Sequence, residues 1–469
     1  MDESDALLAA LRRAADPDAA GAVERLLRQA SDADLARINA VRLAAEAGLD
    51  EEPVIAALLH GARLGLVEMA WNVLCPSCSG VLEAPASLRG VRPGYHCAFC
   101  ALDSEPVLDD TVEVTFIVSP RVRRIAAHDP DGLGVWDYHR QVFFGSGVAF
   151  PEPDDFAALA QRALVDSVEL HAGERMILAL QLGPEPLIVL DPVTHAAHSI
   201  TVAGEPTRER QDLALVFDAA RASAGRDTFR PGPLRLSLDN RSDGRVLPTV
   251  FRVGPELDKL LGGRRPFLTA RRLLSNQTFR DLYRTDTLDI DQRLKILSLT
   301  FLFTDLKGST ELYARVGDLV AYDLVRAHFR ILHEIVAAEG GAVVKTIGDA
   351  VMATFLGPHQ AVAAALRMRA AIQGLGVERG ADDLMLKIGL HEGPCLAVSL
   401  NDRQDYFGQT VNVAARVQQL AAAGGIFATE SVVRHAEAAR HLAERQITAR
   451  AELRTLRGIG EPVPVYELT

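Results

Sequence analysis

Residues 297–310 read LSLTFLFTDLKGST, and residues 341–355 read GAVVKTIGDAVMATF. In the first stretch Leu297, Leu299, Phe301 and Phe303 recur at every second position, the period of a strand with one face on a core. The strand ends in a carboxylate, Asp305, followed by the small-residue turn Leu306-Lys307-Gly308-Ser309-Thr310. Apolar residues then recur at near-helical spacing from Leu312 through Leu324 to Ile335, and Gly340–Gly341 stops the helix. A small-residue turn that opens a helix offers free backbone N–H groups to an anion, and a carboxylate beside it can share a metal with a phosphate. The second stretch reads as a hairpin folded about Gly348–Asp349, with Lys345 just ahead of the turn. Taken alone, Asp305 reads as a helix cap and Asp349 as a turn residue. Their order and company raise the functional reading.

A third stretch, DYFGQTVNVAAR at 405–416, has a turn at Gly408 that opens a helix. Asn412 and Arg416 lie four apart and share one helix face. A polar pair set among Val413, Ala414 and Ala415 suits a ligand with a sugar and a polyanion. Arg416 by itself would read as a solvated helix residue.

FTDLKGST (303–310), VKTIGDAVMATF (344–355), KIGLHEGP (387–394), DYFGQTVNVAARV (405–417) and RGIGEPVPVYEL (457–468) together resemble the class III nucleotide cyclase catalytic domain. The resemblance runs in order over about 295–469. It implies a ferredoxin-like α/β domain and the conversion of ATP to 3′,5′-cyclic AMP and pyrophosphate. It places the paired metal-binding aspartates on Asp305 and Asp349, with Leu306 alongside, for two Mg²⁺ or Mn²⁺ per active site. The adenine-reading residues fall on Lys345 and Asp405, the ribose-orienting Asn on Asn412 and the transition-state Arg on Arg416. Gly308, Ser309 and Thr310 would cradle phosphates, and Arg457 stands where the family holds the terminal phosphates with a basic residue. Guanine-specific members carry an acidic residue and a Cys in place of Lys345 and Asp405. Hydrogen-bonding chemistry agrees with adenine, whose N1 accepts and whose exocyclic amine donates. Guanine reverses that pattern and would leave buried groups unpaired. Because Lys345 and Asp349 flank one turn while base and triphosphate lie at opposite ends of ATP, the family's answer is expected: a homodimer with two composite sites.

Upstream, the chain reads as an α+β multidomain protein. Residues 1–70 are expected to be helical, with a packing role favoured over DNA binding. Cys75, Cys78, Cys97 and Cys100 form two CxxC pairs that fit one tetrahedral zinc in a ribbon at 71–105, a redox dithiol or a disulfide being the competing readings. Residues 106–253 alternate strand-like runs with Gly, Pro and Asp punctuation, which suggests an antiparallel sandwich with a helix at 155–168. Within it, Arg175–Leu182 and Pro186–Asp191 read as buried strands, and His195 and His198 as exposed loop histidines. Residues 254–294 read as a connector with one helix at 267–283, leading to the catalytic domain at 295–469. The region 1–253 is similar to an amino-terminal regulatory region found ahead of some bacterial cyclase domains, and its ligand or protein partner is open.

The chain has 469 residues, a formal net charge of −12 and 48% apolar residues. From residue 295 onward basic and acidic side chains balance to within one charge, so the acidity belongs to the first part. That opposes a general nucleic-acid binder, which needs a basic face. No apolar run reaches the ~20 residues of a membrane helix, and the amino terminus lacks a signal-peptide pattern, so a soluble, cytoplasmic protein is expected. Only five of the 50 basic residues are lysines, and Lys345 is one of them. Three rival functions remain at this stage: a silent nucleotide sensor, a guanylate cyclase, and a nucleic-acid regulator built on the zinc ribbon.

Overall fold

The computed structural model describes residues 3–218, 224–283, 293–307, 317–378, 384–400, 403–459 and 461–469. The chain divides into two compact units, Met1–Pro106 with Asp110–Leu268, and Val107–Asp109 with Thr269–Thr469.

The first unit begins with the helices Glu3–Ala14, Pro17–Gln29, Asp32–Ala36, Ala40–Ala47 and Glu51–Leu64. Their breaks are written in caps: Asp16, Ser31 and Asn39 each accept from backbone N–H groups of the helix that follows. Strand Val67–Leu74 then pairs antiparallel with Val112–Val118, from Val67↔Val118 to Val73↔Val112. Two further sheets follow. One orders Gln211–Phe217, Gly232–Asn240 and Arg175–Leu182; the other has five strands, with Leu187–Asp191 at its centre. Leu178, Leu180, Leu234 and Leu236 from the first sheet share a core with Val189, Ile200 and Val250 from the second.

Several expectations for this region change. Gln211–Phe217 pairs parallel to Gly232–Asn240, and Ala224–Phe229 parallel to Ala196–Val202, so the sheets are mixed. From Ile177 (47% exposed) onward the strand Arg175–Leu182 alternates, with Leu178, Leu180 and Leu182 buried between exposed residues, because its sheet has only one face on a core. The helix ends at Ala163, and Leu164–Ser167 leaves it to pair with Thr249–Arg252, the extended state favoured by Val165. His195 is largely buried with φ of 57°, and His198 sits in a strand with Nε2 2.9 Å from Asp227, so neither is an exposed loop histidine.

In the second unit we number elements from its sheet onward: β1 Leu294–Leu306, α1 Asp318–Ala338, β2 Ala342–Ile347, β3 Ala350–Phe355, α2 Pro358–Glu378, β4 Leu386–Leu400, β5 Arg403–Phe407, α3 Gln409–Leu420, β6 Ile426–Thr429, α4 Glu430–Val433, α5 Ala436–Glu444, β7 Ala449–Arg454 and β8 Val463–Leu468. The eight-stranded sheet runs β2-β3-β1-β4-β6-β8-β7, with β5 also on β4. Period-2 alternation divides its faces. Leu302, Leu306, Ile388, Leu390, Ile426 and Ala428 point into a core closed by α1 and α2, each large buried side chain adding roughly 1.5–3 kcal/mol. Phe427 and Val465 point the other way, against Val413 and Val417 of α3. There α3 crosses β4 so closely that a Cβ on Gly389 would lie 2.2 Å from the Gln418 backbone N. A side chain there would push α3 off the sheet.

Leu297 does not share the face of Leu299, Phe301 and Phe303 as expected. The β1–β4 register shifts between Ile296 and Leu299, the alternation resets, and Leu297 is 57% exposed. Residues 107–109 dock on this end of β1: Leu108 N–H donates to Lys295 C=O (3.0 Å), and Asp109 accepts from Leu297 N–H (2.7 Å). In place of one helix at 267–283 there are two, Ala270–Leu274 and Gln277–Leu282, each started by its own cap, Thr269 and Asn276.

Candidate active site

Asp305 sits at the end of β1, directly across from Lys387 on β4. Asp349 follows Gly348, whose φ of 63° makes the tight β2–β3 turn. Burial first, and then the charge of Asp349, push the Asp305 carboxyl above the usual carboxylate range, against the pull of Lys387 and the nearby Gln418 amide. Asp349 Oδ2 is buried without a hydrogen-bond partner. Two hard oxygen donors, close together and under-compensated, fit divalent cations. Beneath the turn, His328 Nε2 donates to the Asp349 carbonyl (3.3 Å), and burial holds this imidazole at a pKa of about 4. Leu306 is buried next to Asp305. Gly308, Ser309 and Thr310 lie outside the described residues.

Lys345 and Asp405 come together. Lys345 Nζ donates to Asp405 Oδ2, while Asp405 Oδ1 accepts from Tyr406 N–H at 2.8 Å. Asp405 is 6% exposed, whereas the Lys345 side chain is 40% exposed. A cavity of about 490 Å³ opens beside them, lined by Val344, Lys345, Leu400, Arg403, Gln404 and Asp405. Among the described residues no hydrogen bond or ion pair links this pair to Asp305 and Asp349.

On α3, Asn412 is exposed and Arg416 is half-buried. Arg416 Nη1 has no partner, and a Cβ on Gly458 would stand 3.2 Å from it. The guanidinium therefore rests against the turn that carries the exposed Arg457, with an open donor. An anion would satisfy it.

In the first unit the sulfurs of Cys75, Cys78, Cys97 and Cys100 all lie within 4.8 Å of one another, and none is in a disulfide. The residue after each CxxC pair, Ser79 and Ala101, takes a left-handed conformation (φ of 60° and 49°). Those turns aim the thiols inward at a backbone cost of about 1–2 kcal/mol each. Crowding by its three neighbours drives the Cys75 thiol toward the thiolate. The set fits one tetrahedral zinc. Cys395, by contrast, is a buried thiol that desolvation pushes up to about 12. His96 pairs with Asp103 at 2.8 Å and takes no part in the sulfur cluster.

Residues 1–281 match a family described as "Family of unknown function (DUF5939)", and residues 293–461 match "Adenylate and Guanylate cyclase catalytic domain". The chain belongs to the DUF5939 family and carries a class III cyclase catalytic domain. A receptor-type adenylate cyclase of Trypanosoma equiperdum is 26% identical over 207 residues, which cover 36% of this chain and 44% of that protein. An uncharacterized protein of Mycobacterium tuberculosis is 28% identical over 247 residues, or 53% of this chain and 60% of its own length. The chain thus spans about half the length of these curated relatives, 44% and 60%. Among solved structures, the adenylyl cyclase CyaB from P. aeruginosa aligns at 23% identity and a TM-score of 0.34, covering 38% of this chain and 96% of that one. A Trypanosoma brucei adenylate cyclase aligns at 25% identity and a TM-score of 0.32, with 36% and 87% covered. No helix among the described residues is long and apolar enough to cross a membrane.

The second unit contains residues beside the candidate site that motif reading missed. Arg280, on the short helix Gln277–Leu282, donates to three carbonyls: Val343 (3.2 Å), Leu274 (3.3 Å) and Gln404 (3.0 Å). Val343 lies two residues before Lys345, and Gln404 immediately before Asp405, so one guanidinium ties together the strands that carry the pair. Gln277 Oε1 adds a 2.8 Å bond from Val343 N–H. His328 was likewise passed over as one more helix residue. Only a long-range partner distinguishes either, and sequence alone offers no such signal.

Proposed function

We propose that the protein is an adenylate cyclase that converts ATP to 3′,5′-cyclic AMP and pyrophosphate. The observation that carries this reading is the meeting of Lys345 and Asp405 beside an open cavity. Lys345 donates to adenine N1 and Asp405 accepts from the exocyclic amine, each giving up the other to do so. A guanine edge would face donor with donor and acceptor with acceptor, and unpaired buried groups discriminate strongly.

Asp305 and Asp349, with Leu306 at the strand end, would hold two Mg²⁺ or Mn²⁺, which would supply a lowered pKa at the ribose 3′-hydroxyl and charge neutralisation at the triphosphate. Asn412 orients the ribose. The 3′-hydroxyl gives its proton to solvent water, its oxygen bonds to the α-phosphorus in line, and the α–β bridging P–O bond breaks with its electron pair leaving on pyrophosphate. Arg416, whose Nη1 is unpartnered, meets the charge that grows on the α-phosphate, a donor of the kind worth roughly 3–4 kcal/mol in the transition state. Gly308, Ser309, Thr310 and Arg457 hold the outer phosphates.

Base and triphosphate lie at opposite ends of ATP, and Lys345 and Asp349 flank one turn. Two protomers therefore build each site, one giving the carboxylates and its partner giving Lys345, Asp405, Asn412 and Arg416. Ile347, Leu400 and Phe407 support such an interface, being 53%, 49% and 63% exposed around the base-reading pair. The four cysteines hold one structural zinc in a ribbon, and the mixed sheets that follow it form a sandwich-like regulatory part. The enzyme works in the cytoplasm.

The test supplies purified chain with ATP or GTP and Mg²⁺ or Mn²⁺. Cyclic AMP with equimolar pyrophosphate is expected, with GTP a poor substrate. Nucleotide binding without a cyclic product would refute the enzyme reading, and preferred turnover of GTP would refute the base assignment.

A further inference from the structure

In the first unit, four arginines converge on a cavity of about 130 Å³: Arg37, Arg42, Arg140 and Arg265. They come from four places in the chain: the end of helix Asp32–Ala36, the first turn of Ala40–Ala47, the segment His139–Phe143, and the loop after Pro255–Leu261. Such convergence is costly without an anion, since like charges repel and buried charges lose water.

Asp34, the carboxylate lining the cavity, and Glu46 and Glu113, which stand beside its arginines, are already committed. Asp34 is held by Arg42 at 2.7 Å, and Glu46 stands 3.5 Å from Arg42. Glu113 is fully buried and accepts from Asn72 (3.0 Å) and Ser146 (2.6 Å), with Arg37 only as near as 4.0 Å. Arg37 uses Nη2 on the Val142 carbonyl (2.7 Å), and its Nη1 is buried without a partner. Arg140 stacks its guanidinium over Phe150 and Phe156, at 5.6 and 5.1 Å. Neither Arg140 nor Arg265 makes a side-chain hydrogen bond or ion pair among the described residues. Burial and then the charge of Arg42 press the Arg265 guanidinium toward losing its proton. This region of the chain carries most of the protein's acidic excess, so the local positive charge runs against its composition.

We propose that this cavity binds a phosphate group, presented either as free inorganic phosphate or on a small organic ester. Three under-used guanidinium forks match a tetrahedral dianion with three or four acceptor oxygens better than a carboxylate with two. The volume holds about four waters at ~30 Å³ each, which admits one phosphate and a short tail but no nucleoside.

The experiment titrates the full-length chain calorimetrically with inorganic phosphate and, separately, with glycerol phosphate, at an ionic strength fixed with chloride. Arg140→Gln and Arg265→Gln are compared with wild type; both positions lie outside the cyclase domain, so phosphate bound there cancels in the comparison. Each variant is expected to weaken phosphate binding by about tenfold or more, with circular dichroism unchanged. Arg265→Lys, which keeps the charge and loses the fork, is expected to fall between. Similar affinities for the two ligands would assign the free ion; much tighter glycerol phosphate would assign an ester. No heat from either ligand at millimolar concentration, or equal affinity in wild type and both Gln variants, would overturn the proposal.

Discussion

The two ends of the candidate site differ in how they stand without a nucleotide. At the carboxylate end, charge is left uncompensated: Asp305 is driven up by burial and by Asp349, Asp349 Oδ2 has no partner, and Arg416 Nη1 has none either. At the base end everything is paired: Lys345 with Asp405, and their strands with Arg280. Under the proposed function, the first end would gain its stabilisation from the ligand, and the second would already be in shape when the base arrives. Preorganisation of that kind favours selectivity, while the under-compensated end concentrates interactions where reaction charge develops.

Four measurements probe that contrast, from the largest expected effect downward. Asp349→Asn or Arg416→Ala is expected to lower kcat by about a thousandfold with folding intact. Because Asp349→Asn also relieves a like-charge pair, thermal unfolding of the metal-free protein should rise; a fall would contradict the strained reading of that end. At the base end, Lys345→Glu with Asp405→Cys is expected to cut the ratio of ATP to GTP turnover by about a hundredfold or more, and an unchanged ratio would refute the base-reading roles.

The third effect is a pH dependence. His328 has a folded-state pKa of about 4 against an ordinary 6.5, so the unfolded chain binds its proton first as pH falls. The stability it secures is complete above about pH 6.5 and is lost progressively down to pH 4, by about 3 kcal/mol. Denaturant unfolding at pH 7 and pH 4.5, for wild type and His328→Gln, isolates this contribution; equal acid losses in both proteins would exclude it. The smallest effect is expected from Arg280→Ala, a positioning change. KM for ATP should rise several-fold and the ATP/GTP ratio fall, with kcat nearly kept. An equal drop in kcat for both nucleotides would mark Arg280 as merely structural.

The motifs of the cyclase domain were legible because each joins a periodic apolar run to a glycine turn and a charged residue at its end. Asp305, Asp349, Lys345, Asn412 and Arg416 stand out in that pattern, while Asp405 and the roles of all six are what the resemblance to class III cyclases implies. Leu297 was misplaced because a shift in strand register leaves no mark on composition. The helix at 267–283 was drawn as one because the cap at Asn276 sits inside an otherwise helical pattern. In the first unit, apolar strands showed themselves, but parallel against antiparallel pairing is decided by partners far along the chain. The convergence of Arg37, Arg42, Arg140 and Arg265 was hidden for the same reason, among 45 arginines scattered without a motif.

The most direct test of the two-ended site is complementation. Asp349→Asn and Arg416→Ala, each nearly inactive alone, are co-refolded in equal amounts and assayed with ATP. Random pairing makes half the dimers mixed, and each mixed dimer has one site in which both protomers' contributions are intact, so activity should return to about one quarter of wild type. A mixture as inactive as its parents would contradict a site shared between protomers.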